Sequence, residues 1–157
     1  MTSRRVPLTP ADQAGMLMAL AEAERGKSVG EVPVGAVVMV RDQLISQAHN
    51  ETVLRNDLTQ HAEILAIRRA MNVLEADRLD EATLYVTLEP CAQCAGAIVL
   101  SRVKRVIFGA YDPKAGMAGS VEDLLRHPQL NHRPEVTGGA MEGKCGALLS
   151  AFFEDQR

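Results

Sequence analysis

Apolar and polar positions recur along this chain in two rhythms, and their succession predicts alternating helices and strands. Thr9 reads as a helix N-cap, with Pro10 at the first helical position and Asp12 at the third. Met16, Leu17, Leu20 and Ala21 then predict one apolar face on a helix running to about Arg25 and stopping at Gly26. Pro33 leads into Val34-Gly35-Ala36-Val37-Val38-Met39-Val40, which is apolar at both parities, as in a strand covered on both faces. Arg41-Asp42-Gln43 reads as a tight turn, and a second strand follows from about Leu44 to His49. Residues 51–60 are polar and predict a loop.

A helix is expected from about His61, because Ile64, Ile67, Met71 and Leu74 share one face at spacings of three and four. Thr83 to Leu88 predicts a strand with Leu84, Val86 and Leu88 on one side, ended by Pro90. A helix from Cys91 to about Ser101 and a strand at Val106-Ile107-Phe108-Gly109-Ala110 complete the middle of the chain. Residues 113–119 read as a glycine-containing loop, with Ser120 capping a short helix through Leu125. Glu135-Val136-Thr137 reads as an edge strand. A last helix, about Glu142 to Glu154, is expected to bury Cys145, Leu148, Leu149 and Phe152. Two successive strand–helix–strand units imply parallel pairing, and the early hairpin adds an antiparallel pair. The expected fold is α/β: a three-layer α/β/α sandwich around a mixed five-stranded sheet, with residues 1–157 forming one domain.

Composition narrows the function classes. Apolar residues at 46% and charged residues at 24% suit a soluble globular protein, and no apolar run approaches the roughly 18 residues that span a membrane. Arg4 and Arg5 are followed by Pro7, Pro10, Asp12 and Gln13, which interrupt any signal-peptide core, so a cytoplasmic protein is expected. Three cysteines in such a chain suggest metal binding or packing instead of a disulfide framework. The net charge of −3 does not by itself mark a nucleic-acid binder. Its distribution is uneven, however: residues 1–99 carry a net −4 and residues 100–157 a net +1, with His127 and His132 besides. The second half is thus compatible with a phosphate-binding strip.

The chemistry lies in two short motifs, His61-Ala62-Glu63 and Pro90-Cys91-Ala92-Gln93-Cys94. Each falls at a predicted helix N-terminus, where free N–H groups and the dipole favour anionic groups such as thiolates. Cys91 and Cys94 lie one turn apart, so both sulfurs can reach one metal, and His61 would supply a third ligand. Three protein ligands leave a position for water, as in catalytic zinc sites. Glu63 diverges from His61 and can carry a proton beside the metal without binding it. The combination H-x-E with P-C-x-x-C is the known signature of zinc nucleobase deaminases. Two other readings remain open. Cys-x-x-Cys after a strand is also a thioredoxin-like redox signature. A structural zinc would need a fourth ligand, for which Cys145, His49, His127 or His132 could be proposed. Cys145 instead shares an apolar helical face with Leu148, Leu149 and Phe152 and reads as core.

These motifs and their surroundings resemble the bacterial tRNA-specific adenosine deaminase family. The resemblance covers nearly the whole chain after the first few residues. It rests on Glu31-Val32-Pro33-Val34-Gly35-Ala36, on Asp57 and Thr59 before His61-Ala62-Glu63-Ile64, and on Thr87-Leu88-Glu89-Pro90-Cys91 through Cys94-Ala95-Gly96-Ala97. The most discriminating segments come late: Phe108-Gly109-Ala110-Tyr111-Asp112, Gly119-Ser120, Asn131-His132-Arg133, and the Cys145 helix ending in Phe152-Phe153. The resemblance implies a cytidine-deaminase-like fold, one Zn2+ per subunit, a homodimer, and conversion of adenosine to inosine at the wobble position of a tRNA anticodon. It makes His61, Cys91 and Cys94 the zinc ligands and Glu63 the proton shuttle. It makes Asn50 a base contact, sets Ala62 and Phe152 among the substrate-binding residues, and lets Asp112, Asn131, His132 and Arg133 hold the anticodon stem-loop. The chain departs from the family's common pattern at Leu58, Gln93 and Tyr111, where proline, methionine and a basic residue are frequent. The nearest rival is a zinc deaminase of a free base or nucleoside, such as guanine or cytosine. A non-catalytic zinc or redox module is the rival of another class.

Overall fold

The computed structural model describes residues 7–156; Arg4 and Arg5 lie outside them. In chain order the elements are α1 (Pro10–Ser28), β1 (Gly35–Val40), β2 (Gln43–His49), α2 (Ala62–Leu74), β3 (Ala82–Leu88), α3 (Ala92–Ser101), β4 (Arg105–Ala110), β5 (Glu135–Thr137) and α4 (Glu142–Asp155). The sheet runs β2-β1-β3-β4-β5. β1 pairs antiparallel with β2 and β3, and β3–β4 and β4–β5 are parallel. The mixed five-stranded sheet is therefore the expected one. Arg41 and Asp42 both have positive φ, 51° and 63°, which makes the β1–β2 connection a two-residue turn of the kind that matches strand twist.

Alternation along the strands divides the core. Ala36, Val38, Leu84, Val86, Val106 and Phe108 face α2 and α3. Val37, Met39, Tyr85 and Ile107 face α1 and α4. The result is the three-layer sandwich. All four long strands have one end at the same edge of the layer: β2 and β4 finish there with β3, and β1 begins there. The polypeptide loops that follow β2 and β4 thus flank the helix starts of α2 and α3.

Three expectations need correction. α1 continues past Gly26 to Ser28, and its buried face is Asp12, Gly15, Met16, Ala19, Glu22, Ala23 and Gly26, while Leu17 is half exposed. Small residues win because the helix lies close against β1: a Cβ at Gly35 would overlap the carbonyl oxygen of Ala19. The segment 120–125 is not helical; Ala118 bridges to Asp123, and Ser120 turns inward to Glu89 instead of capping a helix. On α4 only Cys145 is fully buried, while Leu148, Leu149 and Phe152 are partly covered.

α1 is pinned at its start. Thr9 and Asp12 form a reciprocal capping box, and the buried Asp12 carboxylate also accepts from Tyr85 Oη at 2.7 Å and from both terminal nitrogens of Arg105 at 3.1 and 3.3 Å. Burial opposes its charge, but the hydrogen bonds from Arg105, Tyr85 and Thr9 outweigh it and hold the carboxyl below its ordinary value of 3.8. Asp12→Ala is expected to cost about 3 kcal/mol in urea denaturation at pH 7, because it strands the buried Tyr85 hydroxyl and leaves Arg105 only the longer contact with Glu135 at 3.6 Å. A lowered folded-state value means this stabilisation is full above the ordinary carboxylate value and fades as pH falls through the folded one. The gap between wild type and variant should therefore narrow in acid; a constant gap from pH 7 to pH 3 would refute the assignment.

Candidate active site

His61 and Cys91 each occupy the N-cap position of a helix, with extended backbone (φ −78° in both), and neither side chain caps its own helix. Both side chains are thereby free to turn towards the gap between α2 and α3. There His61 Nδ1 lies 3.4 Å from Cys91 Sγ and 3.5 Å from Cys94 Sγ, and the three donor atoms fall within 4.8 Å of one another. Tetrahedral zinc with ordinary Zn–N and Zn–S bonds would place such nitrogen and sulfur atoms about 3.5 Å apart. The donor set and its spacing fit zinc. Neither cysteine is in a disulfide.

The electrostatics favour a thiolate at Cys91. Cys91 is lowered to about 3, first by the hydrogen bond from the Cys94 thiol, then by His61 and by the Cys94 backbone N–H at the helix start. Cys94 is pushed up, because it donates to Cys91 and is buried. His61 is raised chiefly by Cys91. Glu63 is buried on the first turn of α2, and burial raises its carboxyl above the ordinary range. Among the described residues the metal-spaced group is His61, Cys91 and Cys94 alone. Cys145 lies against Gly109 on the other side of the sheet, buried, with its thiol pushed up to about 11, and so is core.

His61, Cys91 and Glu63 line a cavity of about 290 Å3, while Cys94 is fully buried. One wall holds Val32, Val34, Asn50, Thr52 and Leu58, and the other holds Leu88, Glu89, Asp112 and Ala115. The volume is at the small end for ligand pockets, enough for one base and its sugar but not for a folded polymer. Asn50 Oδ1 accepts from the Ala62 backbone N–H at 2.8 Å, which fixes the start of α2 and leaves its Nδ2 as the donor available to a ligand. Ala62 thus enters through its backbone. Leu58 stands exposed at the rim, and Gln93 ties α3 to the loop by donating to the Thr59 carbonyl at 2.9 Å.

The other expected substrate residues lie elsewhere. His132 Nε2 meets the Val103 carbonyl, Asn131 accepts from Arg102 through its own carbonyl, and Arg133 donates to Pro128 and Leu130. The register of Arg105 with Glu135 sets this segment at the start of β4, whereas the cavity is at its end. Phe152 packs edge-on to Phe153 on α4 and does not line the cavity. Glu31 and Glu89 belong to the motif segments, but the sequence assigns them no role, because only the tertiary fold brings the distant loops they bind.

A family model for MafB19-like deaminases matches residues 11–157. The tRNA-specific adenosine deaminase of Bacillus subtilis (strain 168) is 47% identical over 146 residues, covering 93% of this chain and 91% of its own. That of Aquifex aeolicus is 46% identical over 89% of this chain and 92% of its own. A solved structure from studies of A-to-I editing by tRNA:A34 deaminases at the wobble position superposes with a TM-score of 0.84 at 41% identity, covering 87% of this chain and 99% of that one. The guanine deaminase of Bacillus subtilis is more distant, with a TM-score of 0.62 at 33% identity, covering 78% and 82%.

Proposed function

The chain belongs to the tRNA-specific adenosine deaminases, and from that premise we propose that it hydrolyses adenosine to inosine at the wobble position of tRNA anticodons. The observation that carries the reading is the small pocket lined by His61, Cys91 and Glu63, with Cys94 completing the metal-spaced group. His61, Cys91 and Cys94 would hold one zinc per chain. Zinc, when bound, supplies the Lewis acidity that makes water a nucleophile near neutral pH.

The chain's own residues do the rest. Glu63, buried and with a raised affinity for protons, takes one proton from the attacking water and gives it to the purine ring nitrogen, then carries the proton of the added hydroxyl to the departing amine. Water adds at the base's C6, the C6–N bond breaks, and ammonia leaves. Asn50 Nδ2 orients the base from one wall, and Asp112 borders it on the other. Because the pocket takes a single nucleotide, the target must be splayed out of its loop, as bases in RNA hairpins readily are. The Asn131-His132-Arg133 segment and Phe152 lie outside the base pocket, so the contacts proposed for them are with the rest of the anticodon stem-loop.

We also propose a homodimer through the α2–α3 face, where Ile64, Ile67, Met71, Ala97 and Leu100 line a groove and Leu100 is 82% exposed. Light scattering at micromolar concentration giving the mass of a single 17.0 kDa chain would contradict it. No described helix is long and apolar enough to cross a membrane, which agrees with the cytoplasmic location proposed for a tRNA-modifying enzyme. The substrate reading is tested by comparing ammonia release from an anticodon stem-loop with a wobble adenosine against free adenosine, guanine and cytidine. The stem-loop should be turned over fastest; equal or faster release from guanine would favour a free-base deaminase.

A further inference from the structure

Two carboxylates beside the pocket are nearly sealed from solvent and are unlike Glu63 in what they bind. Glu89, 2% exposed, accepts four hydrogen bonds from the loop after β4: Oε1 takes Asp112 N–H at 3.0 Å and the Ser120 hydroxyl, and Oε2 takes Ala118 N–H at 3.0 Å and Ser120 N–H at 3.1 Å. Glu31, 1% exposed, does the same for the loop after β2: Oε1 takes Val53 N–H at 2.9 Å and the Thr52 hydroxyl at 3.2 Å, and Oε2 takes Leu54 N–H at 2.8 Å. These loops supply Thr52 and Leu58 to one wall of the cavity and Asp112 and Ala115 to the other. Both anchors are rooted next to fixed elements, Glu31 just before β1 and Glu89 between β3 and α3.

We infer that Glu31 and Glu89 are positioning residues that hang the two opposed walls of the pocket from the sheet and so set the affinity for the target nucleotide. The inference rests on the deaminase reading above. Glu89 borders the cavity, yet every strong acceptor direction of its carboxylate is already taken by the loop, which leaves it no proton-transfer role. Charge-assisted bonds to main-chain N–H groups hold a loop more firmly than neutral ones. Gly116 fits the same plan: it lies against the Glu89 carboxylate so closely that a Cβ there would overlap the carboxylate atoms.

The test is steady-state kinetics on the anticodon stem-loop with zinc-loaded Glu89→Gln, Gly116→Ala and Glu31→Gln. In the glutamine variants an amide donor is turned towards N–H donors; the alanine pushes the carboxylate off its partners. KM should rise at least about tenfold while kcat stays within about threefold, the pattern of lost binding common to ground and transition states. Ser120→Ala, which removes one of four bonds, should give the same pattern with a smaller rise. A general loss of fold would lower kcat with the active fraction and leave KM alone, and that result overturns the inference. If Glu89→Gln does not fold, Gly116→Ala and Ser120→Ala decide it on the same criterion. Amide hydrogen exchange at Asp112, Ala118 and Ser120, measured without RNA, should accelerate in Glu89→Gln and Gly116→Ala but not in Glu31→Gln. A wild type that makes no inosine would sink the functional reading, and unchanged exchange in the variants would sink the loop anchoring, so the two failures are distinct.

Discussion

Glu63→Ala is expected to lower kcat for inosine formation by at least about 1,000-fold, or about 4 kcal/mol of transition-state stabilisation, while one zinc per chain is retained. The reasoning is positional. Glu63 shares the first turn of α2 with the His61 N-cap but does not belong to the metal-spaced group formed by His61, Cys91 and Cys94. Its removal should therefore leave the donor set intact and take away only the group that relays the proton. Burial already raises its carboxyl, as suits a residue that must both accept and return a proton. Metal analysis beside single-turnover kinetics checks both halves. Loss of zinc with activity would make Glu63 a ligand or a structural residue instead.

His61→Ala and Cys91→Ala should show the opposite pairing, with zinc falling below about 0.1 per chain after dialysis and activity falling with it. Removing one of three ligands leaves two, too few for a catalytic zinc site. Both side chains sit at half-buried N-cap positions without capping bonds, so their loss opens little of the core. Zinc that binds only the folded chain also stabilises it, by about 4 kcal/mol when free metal is 1,000 times its Kd. Chelation should then lower the melting temperature of wild type by about 10 °C, and should leave the two ligand variants where they are. A zinc content of one in either variant would point to a different ligand set.

How far the sequence could be read depended on the reach of the interactions. Helix and strand rhythms are local, so the order of elements and the mixed sheet followed from them. The metal group was legible because its residues lie on two short motifs at helix starts, and a helix start turns sequence spacing into geometry. The seating of α1 was not legible: hydrophobicity points to Leu17 and Leu20, but the close approach at Gly35 demands the small Ala19 and Ala23, and the Tyr85 ring leaves no room for a side chain at Gly15. Ser120 looked like a helix cap because its partner, Glu89, lies 31 residues away. Asn131, His132 and Arg133 are proposed RNA contacts through resemblance; within the chain their bonds run to Val103, Arg102 and the surrounding turn, at the end of β4 away from the pocket. Contacts of this kind depend on which strand ends share an edge of the sheet, and no periodicity records that.

The most direct measurement is to incubate the zinc-loaded protein with total tRNA and sequence the product for inosine. Inosine is expected at the wobble position of tRNAs that carry adenosine there, and nowhere else, if the chain deaminates that base. Full zinc occupancy with no inosine in any tRNA would contradict it.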